Sequence, residues 1–447
     1  MQKPFIYLFK YLEEPYFFDV NKNKIVRISD SLFDFLVKSD NCLDEIDISE
    51  CDNSILSSIK SLIENGYLSS NKSSIIEHSL TSLSYDYLEN NLRGIVLQIS
   101  QNCNLKCRYC IYSGNTVLSR SHNNLNMSWD VAKRAIDFFA EHSTFTDKVQ
   151  IGFYGGEPML DIELIKQSVH YIENRLFDKI INYSITTNGT IFTDDIIAFF
   201  EKYNFNITIS LDGPEEIHNT NRRFAYNGEG SYSSIIKNLS HIKNNFPKFY
   251  QNNIQFNSVV EDLTNWEEIE TFFMTNDLFK NNPVSLGKVS DTYLLSSYSQ
   301  DEKVINNREK IRFQVLMSTV FGFKTQYFGE VLNEINRLKK TFSLQDNLTD
   351  KIHPLGQCMP GHQNLFVDIY GDFRICEKAS EKSSHMKIGD IYHGFDYNSI
   401  NNLLNIGKMT ENDCLNCYAI RHCRICAVTI DGVNELSIKK KTYPMLY

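Results

Sequence analysis

Between residues 94 and 290 the chain alternates two hydrophobic periods, and this alternation constrains the fold more than any other feature. Short β-rich runs stand at Gly94–Ser100, Lys148–Tyr154, Ile181–Thr187, Asn206–Leu211, Ile254–Val260 and Val284–Val289. Helical patterns separate them at Trp129–Glu141, Ile162–Leu176, Asp194–Tyr203, Tyr232–Lys243 and Trp266–Asn276, the first preceded by Ser128 as an N-cap. Strand, helix, strand with short connections implies right-handed crossovers and a parallel sheet. Six strands do not close an eight-fold barrel. The expectation is an α/β fold, a partial and open (β/α)6 barrel with its site at the C-terminal ends of the strands.

Other patterns flank this block. Residues 1–88 read as a separate winged-helix-like module. Its strands fall at Phe5–Lys10, Tyr16–Asp19 and Lys24–Ile28, with a turn at Asn21-Lys22-Asn23. Its helices fall at Asp30–Ser39 and Ser54–Asn65, the second closed by Gly66. The polar stretch Ser69–Ser74 and the segment to about Asn91 read as a linker. The barrel is assigned to 89–300, a helical bridge to 301–345, and a Cys-rich domain to 346–447, where regular patterning fades.

Charge and hydropathy exclude several classes. The 447 residues carry 45 Lys and Arg against 55 Asp and Glu, a net charge of −10 that argues against general nucleic-acid or anionic-membrane binding. The basic run Lys439–Lys441 reads as a solvated tail. No apolar run approaches the ~18 residues of a spanning helix. The N-terminus, interrupted by Lys10 and Glu13–Glu14, makes a poor signal peptide, so the expected location is the cytoplasm.

Cysteine is the unusual residue. Of 11, nine lie in two groups: Cys103, Cys107 and Cys110, then Cys358, Cys376, Cys414, Cys417, Cys423 and Cys426. Cys42 and Cys51 stand apart and read as buried thiols. Clustered thiols in a large chain without an export signal point to metal, not disulfides. Cys103-x3-Cys107-x2-Cys110 directly follows the strand Gly94–Ser100, so the thiols share one strand-end loop. Three thiolates from one loop hold three irons of a 4Fe–4S cluster and leave the fourth open. Zinc would prefer paired C-x2-C half-sites.

This loop, with the aromatic Tyr109 before its last cysteine, resembles that of the radical S-adenosylmethionine (SAM) enzymes. The resemblance implies that SAM chelates the open iron. Its reductive cleavage then gives a 5′-deoxyadenosyl radical that abstracts hydrogen from substrate. Later strand ends carry the resemblance further. Tyr154-Gly155-Gly156-Glu157-Pro158 matches the family's GGEP segment, implying main chain close to the SAM amino group. Thr186-Thr187-Asn188-Gly189 and Ser210-Leu211-Asp212-Gly213 fall where the family contacts SAM. Arg222, in His218-Asn-Thr-Asn-Arg222, matches a position that pairs with the SAM carboxylate, and Val259 or Val260 would wall the adenine.

The second group resembles the SPASM extension of peptide-modifying radical SAM enzymes, which implies two auxiliary iron–sulfur clusters. By position Cys358, Cys376 and Cys426 would serve the nearer cluster, and Cys414, Cys417 and Cys423 the farther one. The last spacing is x2 where the family has x3, and no cysteine follows Cys426, so either His422, Asp431 or Glu435 completes the farther set or the cluster there differs. Otherwise His422 and His362 read as solvated loop histidines. An open iron at the nearer cluster would bind and deprotonate a substrate thiol. A zinc site on Cys414, Cys417, Cys423 and Cys426 is the alternative.

Residues 1–88 resemble leader-peptide recognition elements, which would capture an extended leader along residues 16–28 by strand addition. The whole chain is thus similar to ranthipeptide and sactipeptide thioether synthases. The partners implied are a Cys-rich precursor peptide with its leader and a reductant such as flavodoxin or ferredoxin, with no nucleic acid or membrane. Carbon–carbon crosslinking, epimerisation and formylglycine formation remain open on the same scaffold. A non-catalytic iron–sulfur or zinc protein that binds peptide is the reading from another class.

Overall fold

The computed structural model describes residues 3–39, 52–114, 116, 118–260, 265–288 and 347–437. The proposed helical bridge, Cys42, Cys51 and the basic tail lie outside the described residues.

Three strands open the chain, β1 (Ile6–Tyr11), β2 (Glu14–Asp19) and β3 (Lys24–Arg27), as an antiparallel sheet with β2 in the middle. Because β2 is paired on both sides, Tyr16–Asp19 offers no edge. Of the stretch 16–28 expected to receive a leader, only β3 is an edge strand. Helices α1 (Asp30–Lys38) and α2 (Asn53–Glu64) follow. Ser29 and Asp52 cap them, accepting from the Leu32 and Ser54 N–H groups.

Residues 75–90 are structured, unlike the linker the sequence suggested. β4 (Ile75–Ile76) pairs in parallel with β11 (Lys351–Ile352), and α3 (Ser84–Asn90) leads into the barrel. Polar composition hid these elements, whose partners lie far along the chain.

Six parallel strands then form the barrel wall: β5 (Gly94–Ser100), β6 (Lys148–Gly155), β7 (Ile180–Thr187), β8 (Asn206–Ser210), β9 (Ile254–Val260) and β10 (Val284–Lys288). Helices α4 (Trp129–Glu141), α5 (Ile162–Arg175), α6 (Asp194–Lys202), α7 (Glu215–Asn221), α8 (Tyr232–Asn245), α9 (Pro247–Asn253) and α10 (Trp266–Thr275) connect them. Ser128 caps α4 through the Val131 N–H, and Thr193 caps α6 through that of Ile196. Ile95, Leu97 and Ile99 of β5 are fully buried with Val149, Ile151, Ile207 and Ile209.

The sheet does not end at β5. β12 (Leu365–Val367) pairs with it in parallel, Leu365 opposite Ile95 and Val367 opposite Leu97. β13 (Asp372–Arg374), β14 (Lys387–Asp390) and β15 (Gly394–Phe395) continue as an antiparallel meander, completing a sheet of ten strands. The Cys-rich segment is therefore joined to the barrel by backbone pairing on the strand that carries the first cysteine loop. Among the described residues, no helix is long and apolar enough to cross a membrane.

Candidate active site at the strand ends

Cys103, Cys107 and Cys110 leave the C-terminal end of β5 in one loop that is stitched down along its length. The Lys106 N–H donates to the Arg223 carbonyl (2.8 Å) and the Arg108 N–H to that of Asn221 (2.9 Å). Leu105, opposite Phe224, is buried beneath it.

The end of β6 presses on the same loop. The N–H groups of Gly156 and Glu157 donate to the carbonyls of Ser100 (2.7 Å) and Asn102 (2.8 Å). A Cβ on Gly155, whose φ is +143°, would lie 2.2 Å from the Ser100 oxygen, and one on Gly156 2.1 Å from the Asn102 oxygen. Both positions exclude any side chain because two backbones meet there.

Glu157 turns inward. Its carboxylate accepts from the Thr187 hydroxyl (2.7 Å), the Asn188 N–H (2.7 Å) and the Met159 N–H (3.0 Å). Burial pushes its pKa up to about 7 against these bonds. The Asn188 side chain donates to Asn104 Oδ1 (2.7 Å), tying the end of β7 to the cysteine loop.

Asp212, fully buried after β8, gathers the next residues. It accepts from the Tyr109 hydroxyl, Arg222 Nε (3.0 Å) and the Val259 N–H (3.1 Å). The Arg222 guanidinium also reaches Cys107 and sits 5.4 Å from the Tyr109 ring centroid. Ser210, half-buried at the end of β8, lies opposite Asn257 of β9. Gly155, Gly156, Glu157, Thr187, Asn188, Ser210, Asp212 and Val259 thus stand at or just after strand ends, with Tyr109 in the loop itself and Arg222 just after α7.

Sequence reasoning missed several neighbours. His218 is buried, its Nδ1 accepting from the Asp212 N–H (3.3 Å) and its Nε2 lying 2.9 Å from Ser231 Oγ. His122 Nε2 lies 3.8 Å from the Cys110 sulfur. Arg120 pairs with Glu381 (2.8 Å), which also accepts from Gln98 and Gln101 (2.6 Å each). This buried pair joins the segment after the first cysteine loop to the segment after Cys376. Only His218 carried a sequence signal, its spacing from Arg222.

The six later thiols are all free cysteines, Cys358 exposed and the other five half-buried. Burial raises the pKa of Cys358, Cys376, Cys414, Cys417 and Cys423, with Cys358 and Cys376 near Cys426, Cys414 near Cys423, and Cys417 near Cys414. Burial raises the pKa of the Tyr154 phenol at the end of β6, and Glu377, Cys110 and Cys376 lie close enough to raise it further. Asp431 is committed elsewhere, accepting from Ser383 Oγ (2.9 Å) and the Val433 N–H (2.8 Å). His422 Nε2 lies 2.9 Å from Asn23 Oδ1, and His362 is buried against Tyr87. Neither is the solvated loop histidine the sequence suggested, because the flanking modules pack over both.

The donor chemistry fits an iron–sulfur cluster. Burial pushes Cys103 up to about 12 and Cys107 up to about 11, and raises Cys110, so these thiols gain charge only against a cation. Among the described residues, no three His, Cys, Asp or Glu side chains converge on a single-ion site. A cluster does not require that convergence, since each thiolate binds a different iron.

Comparison with known proteins agrees with this geometry. Residues 97–273, from β5 to α10, match the model of the Radical SAM superfamily. Residues 97–273 thus resemble a radical SAM domain. That superfamily consists of enzymes that use SAM and a 4Fe–4S cluster. Over 155 residues the chain is 34% identical to a cysteine-type anaerobic sulfatase-maturating enzyme of Clostridium novyi, covering 33% of this chain and 40% of that protein. Over 178 residues it is 31% identical to the radical SAM cyclopropyl synthase TigE of Paramaledivibacter caminithermalis, covering 38% of this chain and 35% of that one. The chain therefore spans less than half the length of these two relatives. Among solved structures, anSMEcpe with bound AdoMet and the Kp18Cys peptide is similar, with TM-score 0.57 and 19% identity over 76% of this chain and 90% of that one. SuiB of Streptococcus suis aligns over 97% of this chain and 96% of its own, with TM-score 0.51 and 13% identity. These structural likenesses are likenesses of fold.

Proposed function

We propose that this chain is a radical SAM maturase that installs thioether crosslinks, Cys sulfur to carbon, in a ribosomally made Cys-rich precursor peptide. The observation that supports the reading is the attachment of the Cys-rich segment to the barrel beside the first cysteine loop: β12 pairs with β5, and Arg120, after that loop, pairs with Glu381 (2.8 Å), five residues beyond Cys376. Cys103, Cys107 and Cys110 would hold the SAM-cleaving cluster, and the two later sets would hold auxiliary clusters. When bound, the cluster and SAM supply a one-electron cleavage that yields a 5′-deoxyadenosyl radical.

The chain's own residues hold and shield that chemistry. Asp212 fixes Arg222 and Tyr109 beside Cys107, and Glu157 fixes the ends of β6 and β7. The β3 edge would receive the leader by strand addition, delivering the core peptide to the strand ends. Flavodoxin or ferredoxin would supply the electron. Formylglycine formation is the second reading, favoured by the 34% identity to a sulfatase-maturating enzyme.

Mass spectrometry of Cys-rich peptides incubated with the reconstituted enzyme separates the two. A thioether removes two hydrogens per crosslink and keeps sulfur, whereas formylglycine formation from Cys loses sulfur. Sulfur loss without crosslinks would replace the thioether reading.

A further inference from the structure

The N-terminal sheet is covered on both faces, and one cover is the segment around Cys414 that also carries Cys417 and Cys423. On the first face Ile6, Leu8, Phe17 and Val26 pack on Leu32 and Leu36 of α1 and Ile59 of α2. The alternate residues Tyr7, Phe9 and Phe18, with Phe5 and Val20, pack on Cys414, Leu415, Tyr418 and Ile420. Tyr7 and Tyr418 stack at 4.1 Å, and Phe18 meets the His422 ring edge-on at 5.6 Å. His422 Nε2 is 2.9 Å from Asn23 Oδ1, and Lys72 Nζ donates to Asn416 Oδ1 (2.6 Å).

The side chains that floor the sheet are interleaved with the thiols. Leu415 and Asn416 lie between Cys414 and Cys417, and Tyr418, Ile420 and His422 lie between Cys417 and Cys423. The segment has little regular structure of its own. After the short helix Glu411–Leu415 its backbone makes single turns, Cys417 to Cys414, Ile420 to Cys417 and His422 to Ala419. Such a segment takes its shape from what its thiols hold, and the binding free energy of that group is then folding free energy.

We propose that the Cys414–Cys417–Cys423 centre is the keystone of the peptide-receiving module: metal held there fixes the floor on which β1–β3 rest. This rests on the reading of these thiols as cluster ligands. Coupling between metal occupancy and the sheet is reciprocal, so peptide bound at the β3 edge also strengthens metal retention.

The test is anaerobic hydrogen exchange on the full iron-reconstituted chain and on C414S/C417S, with iron counted in each. The proposal expects iron to fall and the exchange protection of β1–β3 to drop on the order of tenfold or more, with β5–β8 unchanged as an internal standard. Iron loss with β1–β3 protection intact overturns the keystone role. An unchanged iron count overturns the ligand reading, and the proposal falls with it. Tyr418→Ala keeps the thiols and removes the stack on Tyr7. It is expected to loosen β1–β3 at full iron, and unaltered protection there rules out this route of coupling.

Discussion

The Tyr109 hydroxyl lies 2.8 and 3.1 Å from the two carboxylate oxygens of Asp212, joining the first cysteine loop to the end of β8. Arg222 Nε donates to the same Asp212 carboxylate (3.0 Å), so the loop carrying Cys107 and Cys110 is tied through Tyr109 to a buried ion pair as well as by its backbone.

Removing one member of that pair is costly. Asp212→Ala leaves the buried Arg222 uncompensated and is expected to lower stability by about 3–5 kcal/mol. Asp212→Ala/Arg222→Met removes both charges and should recover most of the loss. Denaturation of the two variants side by side checks this; equal loss in both would show that the pair does not act as a unit.

Gly156 has no room for a methyl group, with the Asn102 carbonyl 2.1 Å from where it would stand. Gly156→Ala must move Asn102, the residue next to Cys103. The expected outcome is a folded barrel with reduced iron retention, read as iron per chain together with the circular dichroism of the apo protein. Full iron loading would mean that the two backbones separate at little cost.

The buried histidines set the response to acid. Burial pushes His218 and His353 down to about 4 from 6.5, so both are neutral in the native state. The His218 and His353 rings accept the Asp212 and Gly407 N–H groups, bonds that protonation of the accepting nitrogens breaks. Their folded pKa lies below the unfolded value, so their stabilisation is present above about pH 6.5 and is lost as pH falls toward 4. For His218 the loss at pH 5 is on the order of 2 kcal/mol. His353→Gln should show a shallower fall in Tm than wild type between pH 7 and 5; comparing the slopes cancels Asp368, which burial pushes up to about 6 and which acts in the opposite sense.

Cys358 is assigned to the nearer auxiliary cluster in the proposed function. Cys358→Ala is expected to spare SAM cleavage and abolish crosslinking, followed as 5′-deoxyadenosine and peptide mass in one reaction. Crosslinks that persist would remove that set from the bond-forming step.

The sequence revealed what is local. β5 was legible as a short β-rich run, α4 by its Ser128 cap, and the cysteine loop by its position directly after β5. Missed features depend on partners distant in sequence. β12 has only three residues and no period to read, yet it extends the sheet by lying beside β5. Residues 75–76 read as linker because their pairing partner lies at 351–352. The residues at the loop were legible as motifs, but their bonds to one another were not. Asp212 could be read as a strand-end carboxylate, and nothing in its neighbours announces that Tyr109, Arg222 and Val259 all donate to it.

The measurement that bears most directly on the central claim is 5′-deoxyadenosine formation by the anaerobically reconstituted full chain with SAM and dithionite, with and without candidate Cys-rich peptides. The account predicts product from the wild type and none from Cys103→Ala. Full iron loading with no 5′-deoxyadenosine under either condition would contradict it, and would leave an iron–sulfur protein that binds peptide without radical chemistry.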